Sequence, residues 1–319
     1  MSSPTPPRKS PASSAVRAPG LGRIALELRV PLEFAASVAA APWLASAPRG
    51  DGHGVIVYPG FMGSDLSTAP MRRLLRWLGH DVHGWEQGRN LGPQPEVMDE
   101  ALARIRALAA RHGRPVSLVG WSLGGVYARE LAKLAPDAVR QVISMGSPFV
   151  MHSGDGSGSD TGRDSDEPIG DPAAATNAKR LFDYVNRGKP RMTPTRDAMR
   201  QPPPLPTTSI YSRSDGIVAW QCSIEISSPL TENIEVPASH VGLGVNPWAL
   251  YALADRLAQK QGQWRPFERT GLRRWWFRKP EASAPGSTAA QAAPPAAPPT
   301  APPTAPASPT PGAPKTPSR

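Results

Sequence analysis

The chain of 319 residues carries a formal net charge of +10 and a single cysteine, Cys222, which excludes an intrachain disulfide and any cysteine-cluster zinc site. No basic helix with interleaved aromatics suggests base recognition, so nucleic acid is not expected as a partner. The middle of the chain carries a net charge of about +6, a mild excess that reads first as Arg-rich composition and only second as affinity for an anionic surface.

Both ends read as disordered. Residues 1–19 are rich in Ser, Pro, Ala and Arg, with Val16 as the one large apolar residue besides Met1, and residues 280–319 are almost entirely Ala, Pro, Ser and Thr. Such segments bury too little apolar surface to offset chain entropy. The folded part is expected over 20–279, the size of one α/β domain. Residues 31–47 have the outline of a signal peptide, an apolar run after Arg29 that ends in small residues. Glu33 inside the run, Pro42 across it and its distance from the N-terminus argue against that reading. Phe34, Val38 and Ala41 have helical spacing, with Pro31 in the first turn, and are expected to form the apolar face of a helix packed on the domain. The run is too short and interrupted to span a bilayer, and a cytoplasmic location is the expectation.

From residue 54 short apolar runs alternate with longer amphipathic ones. Val55 to Tyr58, stopped by Pro59-Gly60, predicts a buried strand. Residues 69–78 have helical spacing (Met71, Leu74, Leu75, Leu78), with Pro70 in the first turn and Gly79 as the stop. A short strand is expected at Asp81 to Trp85, then a helix over 95–112 on Val97, Leu102, Ile105 and Leu108. A strand at Pro115 to Val119, a helix over 123–135 and a strand at Val139 to Met145 follow. Strands and helices alternating at this spacing predict an α/β fold: a mostly parallel sheet, joined by right-handed crossovers and covered on both faces. The rhythm breaks between Gly146 and Pro206, so 147–206 reads as an insertion over one end of the sheet, with one helix near 174–187. Its acidic stretch, Asp155 to Asp171, lacks the ligand order of an EF-hand, since Ser157 and Ser159 stand where further ligands belong; it reads as a mobile solvated loop. Strands at Thr208 to Tyr211 and near Asn233 to Val236, then a helix over 246–261, complete the domain.

The sharpest chemical signal is Gly120-Trp121-Ser122-Leu123-Gly124-Gly125, which follows a predicted strand and opens a predicted helix. A serine hydroxyl is a poor nucleophile unless exposed and held beside a base, and a tight strand-to-helix turn does both. The base must be a histidine, oriented by a carboxylate, and in such sheets the acid follows the serine and the histidine comes last. His53, His80, His83 and His112 precede Ser122, and His152 falls in the insertion before any strand that could carry the acid. His240, between the last strand and the last helix, is the candidate with the right placement. Asp215, in Ser214-Asp215-Gly216 at the carboxyl end of a strand, is the candidate acid, against a plain reading as turn chemistry. An oxyanion needs prearranged N–H donors. These are expected from Leu123, just after the serine, and from Phe61, in the loop after the first strand, where Gly60 is expected to let the backbone turn.

These motifs, with Pro59-Gly60-Phe61, Gly146-Ser147-Pro148 and Ser239-His240, make residues 50–262 resemble the α/β-hydrolase superfamily, and within it bacterial lipase-type and carboxylesterase-type serine hydrolases. The resemblance implies an α/β-hydrolase fold with an insertion before the acid-bearing strand, and a triad of Ser122, Asp215 and His240 with Phe61 and Leu123 as oxyanion donors. It implies cleavage of carboxylic esters of lipid-like or small-molecule type through an acyl-enzyme, with no metal or organic cofactor. An acyltransferase or a thioesterase would use the same triad, and a non-catalytic binding protein on the same scaffold is the reading from another class. Pro59 stands where many lipases carry histidine in the oxyanion loop, which argues against a narrow assignment to true lipases. Residues 85–90 are expected either to line the pocket or to brace loops. Residues 273–279 mix Trp275, Trp276 and Phe277 with cations, as a peripheral membrane contact or as an end segment packed on the core.

Overall fold

The computed structural model describes residue 16 and residues 18–150, 176–187 and 196–277. Nearly all of both expected tails, and the acidic stretch of the insertion, lie outside the described residues.

Three short helices open the chain: α1 (Leu21–Leu26), α2 (Val30–Ala39) and α3 (Ala41–Ala45), with a 3₁₀ turn, Glu27–Arg29, between the first two. Pro31 and Pro42 sit in first turns, where a missing N–H breaks no helical bond. The expected apolar face of this arm is reversed. Phe34 is 48% and Val38 61% exposed, Ala41 is exposed as well, and Glu33 and Ser37 are the buried residues of α2. The cause is hydrogen bonding: Ser37 Oγ donates to the Val245 carbonyl, and Glu33 accepts from Ser239. The arm gains apolar anchorage from α3, where Leu44 is buried and Trp43 stacks on Tyr251 with ring centroids 4.5 Å apart.

The sheet has six parallel strands in the order β2-β1-β3-β4-β5-β6. They are β1 (Gly54–Tyr58), β2 (Asp81–His83), β3 (Val116–Trp121), β4 (Val139–Met145), β5 (Thr207–Tyr211) and β6 (Thr231–Glu235). Side chains alternate between two cores, as the two-residue period requires. Val55, Val57, Val119 and Ile143 point to the face covered by α4 (Ala69–Trp77) and α9 (Pro247–Leu257). Ile56, Tyr58, Leu118 and Val142 point to the face covered by α5 (Pro95–His112) and α6 (Leu123–Leu134). Helix α5 begins with Pro95, ends with Arg111 and His112 against the dipole, and closes at Gly113 in the left-handed region (φ 61). Asn246 caps α9, its side chain accepting from Trp248 N–H at 3.0 Å.

Within the described part of the insertion, α7 (Lys179–Val185) is shorter than the helix expected there, and α8 (Arg196–Arg200) is one that periodicity did not indicate. The return to β5 is pinned by buried Arg129, which donates to the carbonyls of Met199, Arg200 and Gln201 and pairs with buried Glu225. The final helix stops at Leu257, four residues short of its expected end. Of the aromatic and cationic end segment, residues 273–277 are described, with Phe277 packed inward and Arg274, Trp275 and Trp276 exposed. Phe277 is buried and Trp276 stacks on Trp248 at 4.2 Å, while Trp275 stays 70% exposed. No described helix is long and apolar enough to cross a membrane.

Candidate active site

The strand order places the site. Strands β1 and β3 are neighbours, yet the chain leaves β1 toward β2 on one side and continues from β3 toward β4 on the other. At such a reversal the loops after the two strands diverge and leave a crevice at their carboxyl ends. Pro59-Gly60-Phe61 follows β1, and Ser122 follows β3.

Ser122 occupies a backbone conformation that few non-glycine residues adopt, φ 54 and ψ −124. Strain of this kind costs about 1–3 kcal/mol. It is held by Ser122 N–H on the Met145 carbonyl at 2.8 Å and by Gly125 N–H on the Ser122 carbonyl at 3.0 Å. A serine at a helix N-cap ordinarily bonds the first-turn N–H groups, and Ser122 makes no such bond. Its hydroxyl faces His240 Nε2 at 3.0 Å instead. The turn is tight enough to require its glycines: a Cβ on Gly120 would lie 2.2 Å from the Gly124 carbonyl oxygen, and one on Gly124 2.2 Å from that of Tyr58.

His240 lies in the loop after β6, only 5% exposed, and its Nδ1 is 2.6 Å from Asp215 Oδ2. A carboxylate only accepts, so Nδ1 carries the proton and Nε2 is left to accept from Ser122. Asp215, in the turn after β5, is 2% exposed, and its Oδ1 accepts from Ile217 N–H at 2.8 Å and Val218 N–H at 2.7 Å. Those two bonds fix which oxygen meets the imidazole. Burial works against a charged His240, but the charge and hydrogen bond of Asp215, with the charge of Glu27, outweigh it and raise the pKa above the ordinary imidazole value. Trp121 Nε1 donates to the His240 carbonyl at 3.1 Å and fixes the loop from the other side.

Phe61 and Leu123 line one apolar pocket together with Ser122, Phe182, Ile217 and Val218. Among the described residues, neither the Phe61 nor the Leu123 N–H donates to a backbone carbonyl. A turn begins at Gly60, whose carbonyl accepts from Gly63 N–H at 2.9 Å. The left-handed residue of this loop is Met62 (φ 63), and Gly60 is needed for proximity, since a Cβ there would lie 3.1 Å from Ser122 Cβ. Asn90 braces the loop: its Nδ2 donates to the Pro59 carbonyl at 2.8 Å, its Oδ1 accepts from Tyr127 at 3.1 Å, and its backbone pairs with Met62 and Gly63. Asn90 therefore acts as a brace, and none of residues 85–90 lines the pocket beside Ser122.

The remaining histidines in the described residues lie elsewhere. His53 bonds Asp51 and Ser117. His83 and His112 meet Asp81 at 3.0 and 2.9 Å, three donors within reach of one cation, but Arg111 already stands 3.1 Å from His83 Nε2 and balances the carboxylate. Sequence reasoning missed Glu27 and Glu33, which accept backbone N–H groups of both loops that carry Asp215 and His240. A carboxylate near a helix start reads locally as a dipole partner, so no sequence signal set them apart.

A parallel sheet in this order, with a serine on the strand-to-helix turn after β3, a carboxylate after β5 and a histidine after β6, is an α/β-hydrolase architecture. No protein-family model matches the chain, and no curated protein sequence does. Among solved structures, Aspergillus fumigatus lipase B is similar at 20% identity and TM-score 0.46, the match covering 67% of this chain and 55% of the lipase. Paleococcus ferrophilus monoacylglycerol lipase matches at 16% and 0.44, covering 66% of this chain and 97% of that one. The thioesterase domain from the curacin biosynthetic pathway matches at 16% and 0.40, covering 66% and 92%.

Proposed function

We propose that the protein is a serine hydrolase that cleaves carboxylic esters with apolar acyl groups through an acyl-enzyme intermediate. The observation that carries this reading is the hydrogen-bonded chain from Ser122 Oγ through His240 to Asp215, set on a strained turn whose serine makes no capping bond. In this reading His240 Nε2 takes the Ser122 proton as Oγ attacks the acyl carbon. The oxyanion is received by the N–H groups of Phe61 and Leu123, each worth about 10²–10³ in rate for donors of this type. The alcohol departs with the proton from His240, and water then repeats the sequence to release the acid. The acyl chain lies in the pocket of Phe61, Leu123, Phe182, Ile217 and Val218, which offers apolar walls beside Ser122.

The test is hydrolysis of p-nitrophenyl esters of increasing chain length, with labelling by a fluorophosphonate probe. Ester turnover and stoichiometric labelling at Ser122 are expected, both abolished in Ser122→Ala. A folded Ser122→Ala protein that keeps full esterase activity would overturn the proposal.

A further inference from the structure

We infer that Glu27 and Glu33 are positioning residues of this site: two carboxylates, carried by an arm outside the sheet, that clasp the turn of Asp215 and the loop of His240 in one register. As a statement about catalysis this rests on the serine-hydrolase reading. Glu27 Oε1 accepts Gly216 N–H and His240 N–H, both at 2.8 Å, and its Oε2 accepts Val241 N–H at 2.9 Å. One carboxylate thus spans the residue after the acid and the residue that bears the imidazole. Glu33 accepts Ser239 N–H at 2.8 Å and Ser239 Oγ–H at 3.2 Å. Arg29 closes the arrangement, donating to Glu33 Oε1 and, at 2.6 Å, to Ser214 Oγ, which itself donates to the Ala238 carbonyl. Charge-assisted bonds of this kind are about twice as strong as neutral ones.

The loops are shaped for the arm. A Cβ on Gly216 would lie 2.3 Å from the Arg23 carbonyl oxygen, and one on Gly242 1.5 Å from Glu33 Oε2. Both glycines are missing side chains where the arm passes, an observation independent of the hydrogen bonds. The burial pattern of α2 agrees, since the helix turns Glu33 inward and leaves Phe34 and Val38 outside.

The charged groups facing the His240 loop are Asp215 from the turn after β5, Glu27 and Glu33 from the arm, and Arg29, which is paired to Glu33. The buried Cys222 thiol feels the charge of Asp215. Neutralising Glu27 removes one of the negative charges that favour protonated His240, so the clasp has an electrostatic readout as well as a mechanical one.

The experiment compares Glu27→Gln, Glu27→Asp and Glu33→Gln with the wild type and with Leu28→Ser, a change at an 83% exposed residue of the arm that should leave activity unchanged. Glu27→Gln keeps the shape but turns one acceptor into a donor against Val241 N–H. Its kcat is expected to fall on the order of 10- to 100-fold, the scale of a displaced catalytic group, with KM little changed. The acid limb of kcat/KM and the NMR titration of His240 should both move to lower pH. Glu27→Asp should lose kcat while keeping the acid limb, because the charge remains. Glu33→Gln, which does not touch His240 itself, should lower kcat without moving the titration, and it keeps the question open to test should Glu27→Gln fail to fold. Folded Glu27→Gln and Glu33→Gln proteins with kcat within threefold of wild type, or an unmoved His240 titration in Glu27→Gln, would overturn the inference. Failure of the wild type to label with fluorophosphonate would instead bring down the serine-hydrolase reading, while the His240 titration would still report whether Glu27 acts on the imidazole.

Discussion

Replacing Asp215 with asparagine tests the site without altering its shape. The outcome follows from the partners of the two carboxylate oxygens. Oδ1 accepts from Ile217 N–H at 2.8 Å and Val218 N–H at 2.7 Å, and Oδ2 faces His240 Nδ1 at 2.6 Å. An asparagine that put its NH2 on the Oδ1 side would lose two buried hydrogen bonds and oppose donor to donor, at about 1–3 kcal/mol for each group left unpaired. The amide therefore keeps its oxygen there and presents NH2 to the imidazole. Nδ1 must then accept, the ring proton moves to Nε2, and Nε2 points its proton at Ser122 Oγ, 3.0 Å away. A histidine in that tautomer cannot take the serine proton. The expected loss is about 10⁴-fold in kcat, about 5.5 kcal/mol of transition-state stabilisation. KM should stay within about threefold, since Asp215 is 2% exposed and does not line the pocket. Initial rates on p-nitrophenyl esters measure both constants, and a thermal melt confirms the fold. A folded Asp215→Asn protein that lost less than 100-fold would refute the reasoning, because another group would then have to orient His240.

Three further outcomes are expected. The pKa of His240 is raised, burial being outweighed by Asp215 and Glu27, so the acid limb of kcat/KM should lie above the ordinary imidazole value of 6.5. The same shift stabilises the fold fully below pH 6.5, and that contribution is lost as pH rises through the folded-state value; a pH–rate profile with the limb below 6.5 would contradict the assignment. Asn90→Ala leaves the Pro59 carbonyl and the buried Tyr127 hydroxyl without their partner, so urea unfolding should show a loss on the order of 2–4 kcal/mol, with a lower kcat as the Phe61 loop loosens. His53 and His80 are held down to about 4, both by burial first and by the charge of Arg140. The unfolded state therefore binds more protons, and stability should fall as pH drops from 6.5 toward 4, by a few kcal/mol in all. His80 has no hydrogen-bond partner on either ring nitrogen, so melting curves of His80→Leu should show a shallower acid loss.

Residues whose roles depend on local geometry were legible in the sequence. Ser122 sits in a six-residue pattern whose strand and helix can be read from apolar spacing, and chain order with position at strand ends singled out His240 and Asp215, which the structure brings together with it. The strands were found wherever a run of apolar residues is buried on both faces, as in Val116 to Val119. What escaped were features that depend on a partner distant in sequence. The arm was expected to bury Phe34 and Val38, because spacing locates an amphipathic face without telling which side has hydrogen-bond donors waiting. Gly60 was expected to turn the backbone, and the approach of Ser122 Cβ from another loop adds a constraint on it that no local pattern shows. Helix α8 is too short to show a period at all.

The sheet order also explains why this fold enlists an arm. Loops after interior strands find acceptors on the next strand: Ser122 N–H bonds the Met145 carbonyl at the end of β4, and Gly146 N–H bonds that of Ile210 on β5. Among the described residues strand β6 is an edge and pairs with β5 alone, so beyond it no further strand supplies carbonyls. The N–H groups of Ser239, His240 and Val241 lie in that loop, and two of these three residues are buried, where an unpaired donor costs about 1–3 kcal/mol. Glu33 takes the first and Glu27 the other two. The arm thus does for this loop what a neighbouring strand does for the others, with carboxylates in place of backbone carbonyls, and a carboxylate brings a negative charge that a strand would not. The imidazole at the sheet edge is held by Glu27, which also biases its protonation, so geometry and basicity at His240 should change together in Glu27→Gln, and geometry alone in Glu27→Asp and Glu33→Gln.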